Sequence, residues 1–190
     1  MPAHRAPSET VAHIDGASRG NPGPAAYGVV VESGDGTPLA AFSKFLGRAT
    51  NNVAEYEALL AALDYALNND YRRLRVLSDS ELLTRQMEGR YKVKSPDLKP
   101  LIDRAKQMIL RLESFRIRHV PREQNAEADR LANQALNAAQ VGAGHEPSRA
   151  RPVSGPLRAS ATYERGILKP HLQLPLDEGE EVDLEIRRKK

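Results

Sequence analysis

The sequence predicts an α/β protein in which helices cover the faces of a mixed β-sheet. Three strand-like runs follow one another near the start of the chain, and strands and helices alternate after them. This succession is typical of a mixed sheet between helical layers. The 190 residues are enough for one ordinary domain with a buried core and a smaller additional piece.

The elements are predicted from periodicity and turn residues. Strands are expected at 10–15, 25–32 and 38–46, the last after the turn Ser33-Gly34-Asp35-Gly36. Apolar residues at helical spacing predict a helix over 53–68. The remaining elements are strand 74–78, helix 80–88, helix 96–112, strand 115–120 and helix 126–139.

Composition divides the chain into four parts. A disordered lead is expected at 1–9 and the main domain at 10–140, while Gly, Pro, Ser and Arg make 141–156 a flexible linker. Residues 157–190 hold two strand-like runs, at 158–163 and 182–187. This small β module is too short to build much core, so we expect it to pack on the main domain, pair with a copy of itself or bind a partner.

Composition also excludes some classes of function. The chain has no cysteine, so disulfides, thiolate zinc sites and cysteine nucleophiles are excluded. No apolar run approaches the roughly 20 residues of a membrane span, and the first residues lack the apolar core of a secretory signal; a cytoplasmic location is therefore expected. The pI of about 9.2 is weak support for nucleic-acid binding, because residues 1–146 carry 19 Lys and Arg against 18 Asp and Glu, a net charge of +1.

Four acidic residues stand at positions that predict a shared site. Two of them end predicted strands, and two lie near helix starts on the apolar side of the helix; they are Asp15, Asp79, Glu55 and Asp129. Carboxylates brought together repel one another and take up protons unless a cation shares the site. A cluster of this kind predicts a divalent metal, and hard oxygen ligands favour Mg²⁺ or Mn²⁺.

Each acid also has a purely structural interpretation. Glu55 can close a capping box with Asn52 as N-cap, and Asp79 can cap the helix that follows it. Asp129 can pair with Arg122 or Arg130, and Asp15 with its following glycine can form a turn. The four acids together favour the metal site. The arginine cluster at 72, 73 and 75 is interpreted as the solvated start of a strand in preference to a nucleic-acid contact.

Four motifs occur in a fixed order along the chain. They are DGASRGNPGP from Asp15, TNNVAE from Thr50, SDS from Ser78, and His119 followed by NAEADRLA from Asn125. Over about residues 11–139 the chain thereby resembles the type 1 ribonuclease H family. The resemblance implies a ribonuclease H-like five-stranded sheet whose first three strands are antiparallel. It also implies a catalytic domain that hydrolyses the RNA strand of RNA/DNA hybrids with two metal ions, leaving 5′-phosphate and 3′-hydroxyl ends.

The same resemblance implies roles for individual residues. The four acids would be both catalytic residues and metal ligands, and His119 would help to protonate the leaving group or release product. Amide and hydroxyl groups suit contacts with 2′-hydroxyls and phosphates, and the implied substrate contacts of this kind are Asn21, Thr50, Asn51 and Asn52.

The chain departs from well-known members of that family at one place. They carry a long basic helix-loop that holds the hybrid, whereas only residues 89–95 separate the two predicted helices here, as in the compact branch of the family. The best local substitutes for binding phosphate are Arg90, Lys92, Lys94 and Lys99. Double-stranded RNA is therefore a second substrate to consider.

Other functions stay open at this stage. Residues 161–182 are similar to a short β-domain family sometimes described as antitoxin-like, which suggests self-association or a protein partner for the C-terminal module. The alternatives to a hybrid-cutting enzyme are another nuclease of the same superfold, a non-catalytic hybrid-binding module, or an antitoxin-like interaction protein.

Overall fold

In the computed structural model of the protein, described over residues 9–143, 161–164 and 167–170, the main domain contains five strands and four helices. The strands are β1 (Thr10–Ser18), β2 (Gly23–Ser33), β3 (Pro38–Ala49), β4 (Arg73–Ser78) and β5 (Ser114–His119). The helices are α1 (Asn51–Asn68), α2 (Glu81–Met87), α3 (Lys99–Ile109) and α4 (Ala126–Ala143), with a 3₁₀ turn at Arg122–Gln124.

The five strands form one mixed sheet in the order β3-β2-β1-β4-β5. The first three strands pair antiparallel, and β1–β4 and β4–β5 pair parallel. The predicted fold class is therefore confirmed. Because β1 and β4 are parallel and Ile14 pairs with Ser78, the next residues, Asp15 and Asp79, lie side by side at one edge of the sheet.

The sheet buries its two faces under different helices. One face, including Ile14 and Val76, belongs to the main core with α1, which also contacts α3. The other face is covered by α4, which packs mainly on β1, β2 and β3. Gly28 of β2 permits this contact, since a Cβ there would lie 2.2 Å from the carbonyl oxygen of Ala128.

Three of the structural interpretations offered for the acids are wrong. β1 continues through Asp15 to Ser18 without a turn. The N-cap of α1 is Thr50, whose Oγ1 accepts a hydrogen bond from the Val53 amide, so Asn52 is not the cap. The N-cap of α2 is Ser80, which leaves Asp79 free of a capping role.

Two helices differ from their predicted ranges by three or more residues at an end. Helix α3 covers Lys99–Ile109 where 96–112 was expected, because residues 96–98 form a turn and the helix ends in a short turn before β5. Helix α4 runs to Ala143 and so overlaps the start of the predicted linker at 141–156. The Ala-rich sequence after Leu136 favours continuation of the helix.

The chain divides into two compact units, Met1–Glu146 and Pro147–Lys190. In the second unit, β6 (Ala161–Glu164) and β7 (Ile167–Pro170) form an antiparallel hairpin. β6 overlaps the strand expected at 158–163, β7 was not predicted, and the strand expected at 182–187 lies outside the described residues. Most of the expected disordered lead, residues 1–8, also lies outside them. No helix among the described residues is both long and apolar enough to cross a membrane.

Candidate active site

Three of the predicted acids meet near the carboxyl ends of the inner strands β1 and β4. Asp15 comes from β1, Asp79 follows β4, and Glu55 lies in the second turn of α1; one carboxylate oxygen of each lies within 4.8 Å of the others. Gly16 makes this approach possible, because a Cβ at this position would lie only 2.2 Å from the backbone nitrogen of Glu55. The glycine lets α1 lie directly against β1.

Glu55 is buried with an incompletely satisfied carboxylate. Its side chain accepts a hydrogen bond from the Gly16 backbone amide, but its Oε2 has no hydrogen-bond partner among the described residues. Burial, and then the negative charges of Asp15 and Asp79, raise the pKa of Glu55 well above its usual range. A buried carboxylate oxygen of this kind is costly unless a proton or a cation satisfies it.

The pKa of Asp15 is raised for the same reasons. Burial, and then the charges of Asp79 and Asp129, raise its pKa from 3.8 to about 8, while Arg122 acts in the opposite direction. The site therefore offers three clustered carboxylates as metal ligands, and one of them, Glu55, has an oxygen without a hydrogen-bond partner among the described residues. It fits a hard divalent cation bound through oxygen, which would replace the repulsion by attraction.

The fourth acid, Asp129, lies next to the cluster but is turned to another partner. Gly28 pairs with Asp15 across β1 and β2. Because it has no side chain, the start of α4, which carries Asp129, can lie against the sheet. Arg122 then donates a hydrogen bond of 2.5 Å to Asp129 Oδ1. The predicted pairing of Asp129 with Arg122 is thus confirmed, whereas Arg130 pairs with Glu127 instead.

Asn125 is a site residue that the sequence analysis did not single out. It is 1% exposed, and its Nδ2 donates to the Ile14 carbonyl at 2.8 Å and to Asp79 Oδ1 at 3.2 Å. One side chain therefore fixes the end of β1 and the Asp79 carboxylate together. Asn125 lies inside one of the four motifs, but the motif alone does not show that its amide contacts β1 and Asp79.

His119 stands beside the cluster at the end of β5. Its Nε2 lies 3.2 Å from the Asp79 carbonyl oxygen, and the ring is exposed. It lines an open cavity of about 270 Å³ together with Arg85, Arg90 and Arg118. A larger cavity of about 450 Å³, between β3 and α1, contains none of the predicted site residues.

The predicted substrate-contact residues fall into two groups. Asn21 Oδ1 accepts a hydrogen bond of 3.3 Å from the Asn51 amide, so Asn21, Thr50 and Asn51 lie together at the start of α1, and Asn52 follows in its first turn. The predicted phosphate-binding residues lie around the segment between α2 and α3. All four are exposed, and Arg90 forms an ion pair of 3.1 Å with Glu88; they are Arg90, Lys92, Lys94 and Lys99.

Two further residues shape that segment. The Arg85 guanidinium lies 5.2 Å from the centre of the Tyr91 ring and donates a 3.1 Å hydrogen bond to its hydroxyl. This contact fixes the start of the segment to α2. Sequence reasoning missed it because the two residues are six positions apart across a helix end, a spacing without a regular pattern.

Comparison with known proteins gives two family matches. Residues 13–135 match the family described as reverse transcriptase-like, and residues 160–190 match the family described as AF2212-like. The first match covers the whole acid cluster. The second covers the part of the chain that contains the described hairpin.

Individual relatives agree with the first match. The chain is 46% identical over 128 residues to ribonuclease HI of Halobacterium salinarum, covering 67% of this chain and 64% of that protein. It is 42% identical over 178 residues to the bifunctional protein Rv2228c of Mycobacterium tuberculosis, covering 90% of this chain and 49% of the relative. The chain thus spans about half the length of that relative. Among solved structures, LC11-RNase H1 in complex with an RNA/DNA hybrid is 42% identical, with a TM-score of 0.66 over 70% of this chain and 99% of that one.

Proposed function

Because this chain belongs to the ribonuclease H-like family, we propose that it is a metal-dependent endoribonuclease that cleaves the RNA strand of RNA/DNA hybrids. The products would carry 5′-phosphate and 3′-hydroxyl ends. One observation carries the proposal: Asp15, Glu55 and Asp79 converge from three separate elements to within 4.8 Å. A protein that only bound a polyanion would gain affinity by losing this negative cluster.

We propose that the cluster holds two Mg²⁺ or Mn²⁺ ions. Asp15, Glu55 and Asp79 are the ligands that the geometry offers, and Asp129 becomes the fourth when it leaves Arg122. When bound, two such ions supply Lewis-acid activation of the attacking water and stabilisation of the departing 3′ oxygen.

The protein's own groups prepare this site before substrate arrives. The Gly16 amide holds the Glu55 carboxylate, and the Asn125 amide holds one oxygen of Asp79. Both contacts reduce the freedom of the acids, and a preorganised site loses less energy to rearrangement during the reaction. His119 is exposed beside Asp79, where a ring nitrogen can deliver a proton to the departing 3′ oxygen.

The surrounding residues provide contacts for a duplex. The amides and hydroxyl at the start of α1 suit 2′-hydroxyls and phosphates of the RNA strand. The exposed cations between α2 and α3 suit the phosphates of the duplex. This short segment replaces a long basic helix-loop, so we expect the enzyme to tolerate double-stranded RNA better than relatives with that feature do.

Cleavage of three end-labelled substrates tests the proposal. RNA/DNA hybrid, double-stranded RNA and single-stranded RNA are each incubated with Mg²⁺, Mn²⁺ or chelator, using the wild type, Asp15→Asn and Asp103→Asn. Asp103 is an exposed acid on α3, so its variant makes the same chemical change outside the cluster. We expect the wild type and Asp103→Asn to cut the hybrid only with metal, and Asp15→Asn not to cut it.

Two results would contradict the proposal. The first is hybrid cleavage by Asp15→Asn at the wild-type rate, and the second is no cleavage by folded wild-type protein supplied with either metal. The double-stranded RNA samples measure how far the short segment relaxes specificity.

We also propose that the C-terminal module, residues 157–190, mediates self-association or binding to a protein partner. Light scattering of the full chain and of a chain ending at residue 146 tests the first alternative. A monomer in both samples would exclude self-association and leave a protein partner or packing on the main domain.

A further inference from the structure

One face of the β4–β5 strand pair carries a group of arginines, of which Arg118 also lines the cavity beside His119. The members of this arginine face are Arg73, Arg75, Arg116 and Arg118. Leu74, Val76 and Ile117 alternate with them along the strands and are buried in the core. Since neighbouring residues of a strand point to opposite faces, the arginines point away from that core. The register aligns the two rows, with Arg75 directly opposite Arg116.

The arginine face is left open by the helix that covers the rest of this side. α4 packs mainly on β1, β2 and β3, and Arg73, Arg116 and Arg118 are exposed. Arg75 is half-buried and pairs with Glu9 at 3.4 Å. Within residues 9–143, no carboxylate lies within 4.0 Å of the other three guanidinium groups. The face therefore presents three positive charges that the described part of the chain does not neutralise.

We propose that this arginine face binds the phosphate backbone of double-stranded nucleic acid, as an extension of the hybrid-binding surface. This inference rests on the proposed function. Guanidinium groups bind phosphate oxygens in paired hydrogen bonds. The other described side chains of the face are Leu77 and Ser114, and neither can stack on a base. Arginines without an aromatic side chain beside them suit the phosphate backbone of a duplex better than unpaired bases.

The position of the face fits a duplex that already occupies the acid cluster. Arg118 directly precedes His119, which contacts Asp79. Arg73 is six residues before Asp79 along β4, a distance of about 20 Å at about 3.3 Å per residue. A duplex that follows β4 away from the acid cluster would pass along the whole face, over roughly six phosphates at about 3.4 Å each.

The spacing within the face also suits a regular polyanion. Arg116 and Arg118 are two residues apart on β5, which places their Cα atoms about 6.6 Å apart. That is about twice the axial advance per phosphate of one strand. Each guanidinium can then reach a different phosphate of the same backbone.

The salt dependence of duplex binding tests the inference. Affinity for a labelled hybrid of about 24 base pairs, long enough to extend about 40 Å to either side of the cluster, is measured by fluorescence anisotropy in chelator from 50 to 200 mM salt. The test variant is Arg73→Gln with Arg116→Gln, which leaves Arg118 beside His119 unchanged. The matched control is Arg104→Gln with Arg111→Gln, which removes two exposed arginines in and after α3.

The expected result is a smaller salt dependence in the test variant alone. Loss of two phosphate contacts lowers the slope of log affinity against log salt by about 1.8. The loss of affinity between 50 and 200 mM salt would then be about 12-fold smaller than in the wild type. Arg73→Lys with Arg116→Lys, which keeps the charges, should restore most of the slope.

Three outcomes would overturn the inference. The test variant could keep the wild-type slope, which would show that the arginine face does not bind the duplex. The face would then suit another partner, such as an acidic protein. The test variant could lose no more slope than the matched control, which would make the effect one of general charge. It could also melt at a lower temperature than the lysine variant, which would make the arginines structural. Because binding is measured in chelator, the test does not depend on whether the protein cleaves the hybrid.

Discussion

Arg122 donates a hydrogen bond of 2.5 Å to Asp129 Oδ1, and Asp129 is not among the three acids that each place a carboxylate oxygen within 4.8 Å of the others. The Arg122 side chain is 70% exposed and that of Asp129 25%. Solvent-accessible ion pairs contribute little to stability. Asp129 can therefore exchange Arg122 for another cation at small cost, and Arg122 competes with metal for this carboxylate.

Replacing Arg122 should therefore strengthen divalent-cation binding. Arg122→Gln removes both the competing donor and a positive charge near the cluster. We expect Mg²⁺ or Mn²⁺ to bind about fivefold more tightly, which corresponds to roughly 1 kcal/mol of removed repulsion. Isothermal titration calorimetry measures this. Arg130→Gln is the matched control, because Arg130 pairs with Glu127 instead. Equal affinity in Arg122→Gln and wild type would contradict the competition.

Asp15→Asn should abolish the proposed cleavage and should stabilise the protein without metal. The lost ligand should lower cleavage by at least about 100-fold, since it removes several kcal/mol of transition-state stabilisation.

The same change removes a buried charge that Asp79 and Asp129 repel. In chelator at pH 8 the melting temperature should rise by about 3 °C or more, the effect of roughly 1 kcal/mol in a domain of this size. Asp103→Asn should change neither quantity. An Asp15→Asn protein that melts at a lower temperature than wild type would show that the carboxylate is stabilising.

The pH dependence of stability should change sign when metal is added. The pKa of Asp15 rises from 3.8 to about 8 on folding, so the folded state holds its proton more tightly than the unfolded state. The resulting stability is complete below about pH 4 and is lost as the pH rises through about 8. Without metal, the contribution of this group therefore falls over that range.

A divalent cation should reverse this trend, because the ligands must be deprotonated to bind it. The gain in melting temperature on adding Mg²⁺ should be larger at pH 8 than at pH 5. Thermal unfolding at the two pH values, with metal and with chelator, measures both trends. Asp15→Asn is the control, since it should show a weaker pH dependence in chelator. An equal gain at both pH values would mean that the cation does not bind to the raised carboxylates.

The sequence could predict where the acids meet, because local patterns determine it. Asp15 and Asp79 each follow a buried strand segment, and parallel strands end at one edge. Glu55 continues the apolar stripe of α1, which the packing of Leu59 and Leu63 confirms. The glycines at 16 and 28 could be read as turn or strand residues alone. Their function as contact points for α1 and α4 depends on which helix covers which face, and no local pattern contains that information.

The sequence could not predict which of several neighbouring residues a side chain pairs with. Asp129 had Arg122 and Arg130 as neighbours, and only the geometry of the 3₁₀ turn at Arg122–Gln124 decides between them. The same holds for Thr50 as N-cap in place of Asn52, a shift of two residues that the propensity of both types allows. From the sequence, the arginines at 72, 73 and 75 are interpreted as the solvated start of a strand in preference to a nucleic-acid contact; Arg73 is exposed, but Arg72 and Arg75 are half-buried. The alignment of Arg73 and Arg75 with Arg116 and Arg118, on which the proposed nucleic-acid contact depends, required the β4–β5 register.

Asn125→Asp should destabilise the domain more than any exposed change of the same type. The buried Asn125 amide donates to the Ile14 carbonyl at 2.8 Å and to Asp79 Oδ1 at 3.2 Å. An ionised carboxylate in its place accepts and does not donate, so both contacts become repulsive and a further negative charge joins the cluster. We expect a loss of about 2–4 kcal/mol in the free energy of unfolding, measured by urea denaturation in chelator. Asn137→Asp on the exposed side of α4 is the control, because Asn137 Oδ1 accepts a hydrogen bond from Arg19 and a carboxylate keeps this contact; its loss should be below about 0.5 kcal/mol. If the two variants lose the same stability, Asn125 does not hold β1 and Asp79 together; if only Asn125→Asp loses it, the stability of this part of the sheet depends on one amide.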